Sequence, residues 1–172
     1  MRVSFPRMND EAARIVQRLS LAPLPHEGGF FRRTWTAPAP ADGARPAASA
    51  ILFLLTPSDF SALHQLTSAE IWFFQGGDPI EHVQLVPGHA APLVATLALP
   101  TAELPLATTP QIIVPPHAWQ GARPRSNSSH GWSLVSCVVT PAWDDRDFTL
   151  GDRTALAREF PSARDWISTL TR

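Results

Sequence analysis

The chain has 172 residues, of which 44% are apolar and 17% charged, and it carries a formal net charge of −1 at pH 7. This length suits a single domain, and the balanced charge gives no indication of binding to nucleic acid or to an anionic membrane surface. The sequence contains no tyrosine, and all 14 of its basic residues are arginine. Schiff-base catalysis by a lysine and proton donation by a phenol are therefore excluded.

Helical spacing of apolar residues marks both ends of the chain. After Asn9, a favourable N-cap, the pattern predicts a short amphipathic helix within an N-terminal segment of residues 1–22. Residues 142–172 return to helical spacing, and Pro161 divides this tail into two short helices. We expect helices at both ends and a different structure between them.

Residues 28–141 are typical of β structure. At least eight short segments rich in β-branched and aromatic residues are separated by Pro, Gly, Ser, Asp or Asn, and only residues 37–48 form a Pro/Ala-rich loop. This rhythm predicts a sandwich or a barrel. Cys137, the only cysteine, lies in an apolar strand candidate, where a buried side chain is more typical than a reactive thiolate.

The segment SALHQLTSAEIWFFQGG, residues 61–77, places an imidazole and a carboxylate close together in the chain. Because side chains alternate along a strand, His64 and Leu66 share one face, and Glu70 shares a face with Trp72. If residues 67–69 connect a hairpin, His64 lies opposite Glu70 or Trp72 in the barrel interior. Such a pair can ligate a divalent metal or act as an acid and a base.

This segment resembles the first motif of the cupin superfamily, which has two His one residue apart, then a Glu and then a Gly. Here the four positions hold His64, Leu66, Glu70 and Gly77. The segment PPHAWQ resembles the second motif, with Gln120 at the position of a metal-binding His. Similar segments extend the resemblance over nearly the whole chain outside the Pro/Ala-rich loop.

The resemblance is to a branch of single-domain cupins, mostly of unassigned function, that are similar in fold to the sugar-nucleotide epimerases of rhamnose synthesis. It implies an all-β cupin jelly-roll barrel (double-stranded β-helix) with an N-terminal helix and short C-terminal helices, in one domain of residues 1–172. It also implies a homodimer, for which exposed edge strands give a physical motive. No apolar run approaches the roughly 20 residues of a membrane span, and no secretory signal precedes the helix, so we expect a cytoplasmic protein.

The motif positions supply the candidate site. His64 and Glu70 are the candidate catalytic pair, and with Gln120 as a weak oxygen ligand they form a candidate metal site. Because Leu66 and Gln120 replace two imidazoles, a divalent metal would be weakly held or absent. His82 and His26 are alternative sources of a second imidazole.

Further residues are candidates for contact with a ligand, and each has a structural alternative. For the aromatic candidates, core packing is a more common explanation than contact with a ligand. Glu27, Arg32 and Arg33 could clamp an anionic substrate, and a solvated strand edge explains them equally well. The alternating faces of a strand allow only one of two neighbouring candidates, Trp119 and Gln120, to reach the interior. The complete set is Gln120, Trp72, Phe74, Trp119, Glu27, Arg32 and His82.

We expect a cupin that binds a small molecule, acting as an isomerase-, epimerase- or lyase-like enzyme on a small polar or carbohydrate-like substrate through the His64 and Glu70 pair. The alternative is a non-catalytic small-ligand-binding cupin with a degenerate metal site. The absence of tyrosine removes the proton donor of the resembled sugar epimerases, and the two missing imidazoles disfavour metal-dependent oxygenase chemistry.

Overall fold

The computed structural model describes residues 8–126 and 129–172, so the first seven residues of the predicted N-terminal segment lie outside the described residues. Helix α1 (Asp10–Arg18) begins where the sequence predicts. The side chain of Asn9 caps it, because its oxygen accepts a hydrogen bond from the amide of Ala12 at 2.8 Å. No helix in the described part of the chain is long and apolar enough to cross a membrane.

Two six-stranded sheets form the body of the protein, and their strands are numbered here in chain order. The first sheet has the order β1 (Ala22–Pro23), β2 (Phe30–Thr36), β3 (Ser49–Leu55), β11 (Ser133–Thr140), β5 (Ala69–Gly77), β9 (Gln111–Val114). The second has the order β12 (Phe148–Leu150), β4 (Ser61–Leu66), β10 (Trp119–Pro124), β6 (Ile80–Leu85), β7 (Leu93–Leu97), β8 (Thr108–Thr109). The predicted all-β barrel is confirmed.

The predicted hairpin between β4 and β5 is wrong. Strand β4 pairs with β10 and β12, whereas β5 pairs with β11 and β9 in the other sheet. Residues 67 and 68 therefore carry the chain across the barrel instead of turning it back beside itself. His64 and Glu70 still both face the interior, but from opposite sheets.

Both faces of the second sheet are buried, one inside the barrel and the other under the C-terminal helices. Between the sheets lies an apolar cluster that includes Phe53, Trp72 and Val135. On the outer side, helices α2 (Arg153–Glu159) and α3 (Arg164–Leu170) form a second cluster with β4 and β6. The predicted C-terminal helices are thus confirmed, although strand β12, too short to show a periodic pattern, precedes them.

Gly77 shows why the first motif ends in glycine. Its backbone has φ +87°, and a Cβ atom at this position would lie 2.3 Å from the carbonyl oxygen of Trp132. Any larger residue would strain the backbone and clash at the end of β5. The turn after it leads directly into β6.

Candidate active site

The barrel encloses a cavity of about 470 Å³, which the side chains of His64, Glu70, Trp72 and Glu27 help to line. Its inner part is made by strands of both sheets, since β4 contributes His64 and β5 contributes Glu70. All four of these residues are buried. The motif residues His64 and Glu70 therefore line one cavity that is large enough for a small molecule.

The position of the proton on His64 follows from its hydrogen bond. Its Nδ1 lies 2.8 Å from the carbonyl oxygen of Ala62, and a carbonyl oxygen only accepts, so Nδ1 carries the hydrogen. The ring stacks on Phe148, with 5.3 Å between the ring centroids. Nε2 is then the nitrogen available for proton transfer.

A chain of hydrogen bonds runs from Trp72 through Gln120 to Glu70. The indole Nε1 of Trp72 donates to Oε1 of Gln120 at 3.0 Å, and Nε2 of Gln120 donates to Oε2 of Glu70 at 2.6 Å. Because an indole only donates, the oxygen of the Gln120 amide must face Trp72 and its nitrogen must face Glu70. The carboxyl group is therefore held in one orientation.

Burial raises the pKa of Glu70 from 4.5 to about 7. Removing a carboxylate from water penalises its charged form, and the negative charge of Glu27 adds to the effect. His64 and the hydrogen bonds from Gln120 and Trp72 oppose it by favouring the ionised form. Glu70 can therefore exchange a proton near neutral pH.

Cys137 is a cavity residue whose place the sequence interpretation missed. It pairs in register with Trp72 on β5, and its side chain lines the cavity beside Glu70. Burial, and then the charge of Glu70, raise the pKa of its thiol well above the usual range. The thiol therefore stays protonated, in agreement with the expectation that it is no reactive thiolate.

His82 lies in the interior but does not line the cavity. It is fully buried and packs edge-on against Trp72, with 5.1 Å between the ring centroids. Neither ring nitrogen has a hydrogen-bond partner among the described residues. Burial lowers the pKa of His82 to about 4, which a nearby Gln120 only partly opposes, so the ring is neutral at physiological pH.

The remaining candidates separate into two groups. Glu27 and His26 line the cavity, as does Arg33, which is exposed. Arg32, on the other face of β2, is exposed and does not line it. Outside the cavity lie Phe74, which packs on the interior apolar cluster, and Trp119, which packs on the cluster beneath the helical tail. Trp143 and Phe148 line the cavity but were not predicted from the sequence, because long-range contacts bring them there: Phe148 pairs with β4 through β12, and the amide of Trp143 donates to Oγ of Ser49 on β3.

Comparison with known proteins identifies the family. The model described as "Cupin superfamily (DUF985)" matches residues 13–151, which is most of the chain. The protein belongs to the cupin superfamily. No curated protein matches this cupin.

Three solved structures are similar to this cupin. A protein from Shewanella oneidensis is 30% identical, with a TM-score of 0.83 over 94% of this chain and 97% of that one. A hypothetical protein from Leishmania major is 27% identical, with a TM-score of 0.79 over 93% and 98% of the two chains. A variant of Bacillus subtilis oxalate decarboxylase is 11% identical, with a TM-score of 0.52 over 88% of this chain and 38% of that one, and it shows the fold alone.

Metal ions are associated with the cupin motifs, but the residues at the motif positions of this cupin do not fit a resident ion. Leu66 has no donor atom, the oxygen of Gln120 accepts from Trp72, and the nitrogen of Gln120 donates to Glu70. Within residues 8–126 and 129–172, no group of three or more His, Cys, Asp or Glu side chains has a geometry that could hold a metal. An ion at this position would meet the N–H of an amide where a ligand lone pair is required.

Proposed function

We propose that this cupin is an isomerase- or epimerase-like enzyme that moves a proton at a carbon next to a carbonyl group of a small molecule. Glu70 and His64 would be its acid–base pair. A lyase that starts with the same proton removal uses the same groups. The proposal depends above all on the carboxyl group of Glu70, which is buried at the cavity and has a pKa of about 7.

The reaction needs only groups that the chain supplies. The carboxylate of Glu70 removes a proton from the carbon, and the electron pair of the broken C–H bond forms the C=C bond of an enolate as the carbonyl oxygen takes the charge. Nε2 of His64, when protonated, donates a hydrogen bond to that oxygen. Return of the proton to the opposite face of the same carbon inverts that carbon and restores the carboxylate. In an α-hydroxy carbonyl compound, the proton of Nε2 passes to the enolate oxygen, Nε2 takes the proton of the neighbouring hydroxyl as a new C=O bond forms there, and Glu70 returns its proton to the former carbonyl carbon.

Two features support this assignment of roles. A general base works best when its pKa is near the working pH, because both protonation states are then populated. The hydrogen bond from Gln120 to Glu70 fixes the direction of the carboxyl group, and a positioned base reacts faster than a mobile one.

Hydrogen–deuterium exchange at carbon tests the proposal without knowledge of the product. The protein is incubated in D₂O with a panel of small ketones, aldehydes and α-hydroxy or α-amino carbonyl compounds, including simple sugars, and exchange is followed by proton NMR. Wild-type protein should catalyse exchange in at least one compound. Glu70→Gln keeps the shape and accepts the hydrogen bond from Gln120, and it should lower the rate about 100-fold or more.

Two further variants complete the experiment. His64→Asn should also slow exchange, since its amide can still donate to Ala62 but cannot transfer a proton. Glu81→Gln is the control, because Glu81 pairs with Arg123 outside the cavity. Unchanged exchange in Glu70→Gln would overturn the proposal. Compounds that bind the cavity without any exchange would also overturn it, in favour of a non-catalytic binding protein.

A further inference from the structure

We propose that the cavity selects a cationic small molecule, whose ammonium group pairs with Glu27 and whose apolar body packs on the aromatic wall. This inference names the substrate class for the cavity of the proposed function and rests on that function only for the claim that the bound molecule reacts. The charges, the position of Glu27 and the wall of the cavity each support it.

The charges that line the cavity have an excess of one sign. Three carboxyl groups, those of Glu27, Glu70 and Asp145, face one guanidinium group, that of Arg33. Arg33 and Asp145 are both exposed, so they lie at the mouth of the cavity, and their charges have opposite signs. Among the described lining residues, the inner part of the cavity therefore has the carboxyl groups of Glu27 and Glu70 and no arginine, which favours a cation and repels an anion.

The protein fixes the position of Glu27 but leaves one of its two carboxylate oxygens without a hydrogen bond from the described residues. It is 7% exposed, and its Oε1 accepts a hydrogen bond from the hydroxyl of Ser61 at 2.8 Å. Its carbonyl oxygen accepts from the amide of Ala62 and from the guanidinium of Arg172, so the backbone is fixed as well. Within the described part of the chain, Oε2 makes no hydrogen bond and no basic side chain forms an ion pair with Glu27.

One oxygen of Glu27 can accept a donor from the cavity. Because Oε2 has no hydrogen-bond partner among residues 8–126 and 129–172 and is not a fully buried atom, it is reachable from the cavity that Glu27 lines. Ser61 supplies one neutral hydrogen bond. An ammonium group of a ligand would supply both the charge and the missing donors, and it would gain a charge-assisted hydrogen bond.

The wall of the cavity suits the rest of such a ligand. Five aromatic side chains line it, and they form two contacting pairs: Phe53 with Trp72 at 5.8 Å and Trp143 with Phe148 at 5.7 Å between ring centroids. The fifth is Phe31. Aromatic faces attract cations and also bury apolar groups, so a carboxylate next to aromatic rings is a favourable site for an amine with a hydrocarbon body.

Three probes that share a phenylethyl body test the sign of the preferred charge. Isothermal titration calorimetry compares 2-phenylethylammonium with the neutral 2-phenylethanol and the anionic 3-phenylpropanoate. The ammonium should bind about tenfold more tightly than the alcohol, and the anion more weakly than both. Glu27→Gln should lower the affinity for the ammonium to that for the alcohol and leave the affinity for the alcohol unchanged.

The control variants separate this inference from the proposed function. Glu81→Gln, on the outside of the barrel, should leave all three affinities unchanged, and circular dichroism should show that Glu27→Gln is folded. If the alcohol or the anion binds as tightly as the ammonium, if no probe binds, or if Glu27→Gln does not weaken the ammonium, the inference is wrong. If the ammonium binds as expected but no carbonyl compound undergoes exchange, the inference stands and the proposed function fails.

Discussion

Gln120 determines which chemistry the interior of this barrel can support. An imidazole at its position would offer a lone pair to a metal ion, whereas the amide uses its oxygen for Trp72 and turns its N–H towards Glu70. Such a donor stabilises a negative charge on the carboxylate and leaves the carboxyl group free to gain and lose a proton. The replacement of two motif imidazoles by Leu66 and Gln120 thus removes metal ligands, and the amide of Gln120 instead orients the carboxyl group of Glu70.

Restoring the motif imidazoles tests this view of Gln120. Elemental analysis of protein purified without a metal-affinity tag should find well below one transition metal per chain. The double variant Leu66→His/Gln120→His should take up about one equivalent of Zn²⁺, because four protein donors then face one point. Near-stoichiometric metal in the wild-type protein that disappears in His64→Ala would contradict the prediction.

Strand β10 shows how one element separates two environments. Gln120 points into the barrel, and its neighbour Trp119 points out, where it packs beneath the helical tail with Leu63 and Ile167. Because side chains alternate along a strand, the sequence predicted that only one of these two residues faces the interior. Which of them faces inward depends on the strand register, and so on tertiary contacts.

A substitution on the outside of the barrel, at Trp119, and one in its interior, at Trp72, should have different effects. Trp119→Ala should lower the free energy of unfolding by about 2 kcal/mol, because Trp119 is half-buried and leaves a gap under the tail. It should not change the affinity of any cavity ligand.

Trp72→Phe should change the affinity for a cavity ligand, since it alters the cavity wall and removes the donor to Gln120. Urea denaturation and calorimetry measure the two quantities, and a loss of ligand affinity in Trp119→Ala would contradict this assignment.

At the scale of elements, the sequence predicted the strands better than their partners. Alternation and turn residues predicted most strands between β2 and β11, and the motif spacing predicted that His64 and Glu70 share a cavity. The hairpin between β4 and β5 was wrong because strands close in sequence usually pair, whereas here the connection crosses between sheets. Trp143 and Phe148 were missed for a similar reason, since long-range contacts place them at the cavity: β12 pairs with β4, and the amide of Trp143 donates to Oγ of Ser49 on β3.

At the scale of the whole molecule, two buried titratable groups make stability depend on pH in opposite directions. Glu70 has a pKa raised from 4.5 to about 7, so the folded protein binds its proton more tightly than the unfolded chain does. This contribution to stability is complete below pH 4.5 and is lost as the pH rises through 7. His82 has a pKa lowered from 6.5 to about 4, so its contribution is complete above pH 6.5 and is lost as the pH falls through 4.

Variants at the two positions should reveal these opposing slopes. In the wild-type protein, the contributions of Glu70 and His82 change in opposite directions between pH 4.5 and 6.5, so together they leave the free energy of unfolding unchanged over this range. Glu70→Gln leaves the His82 contribution, so the free energy of unfolding should rise with pH, by an amount on the order of 3 kcal/mol for a pKa difference of 7 − 4.5 or 6.5 − 4. His82→Leu leaves the Glu70 contribution, and stability should fall as the pH rises. Urea denaturation at pH values from about 4 to 8 measures both slopes, and parallel profiles for the wild type and Glu70→Gln would mean that the carboxyl group of Glu70 titrates alike in the folded and unfolded protein.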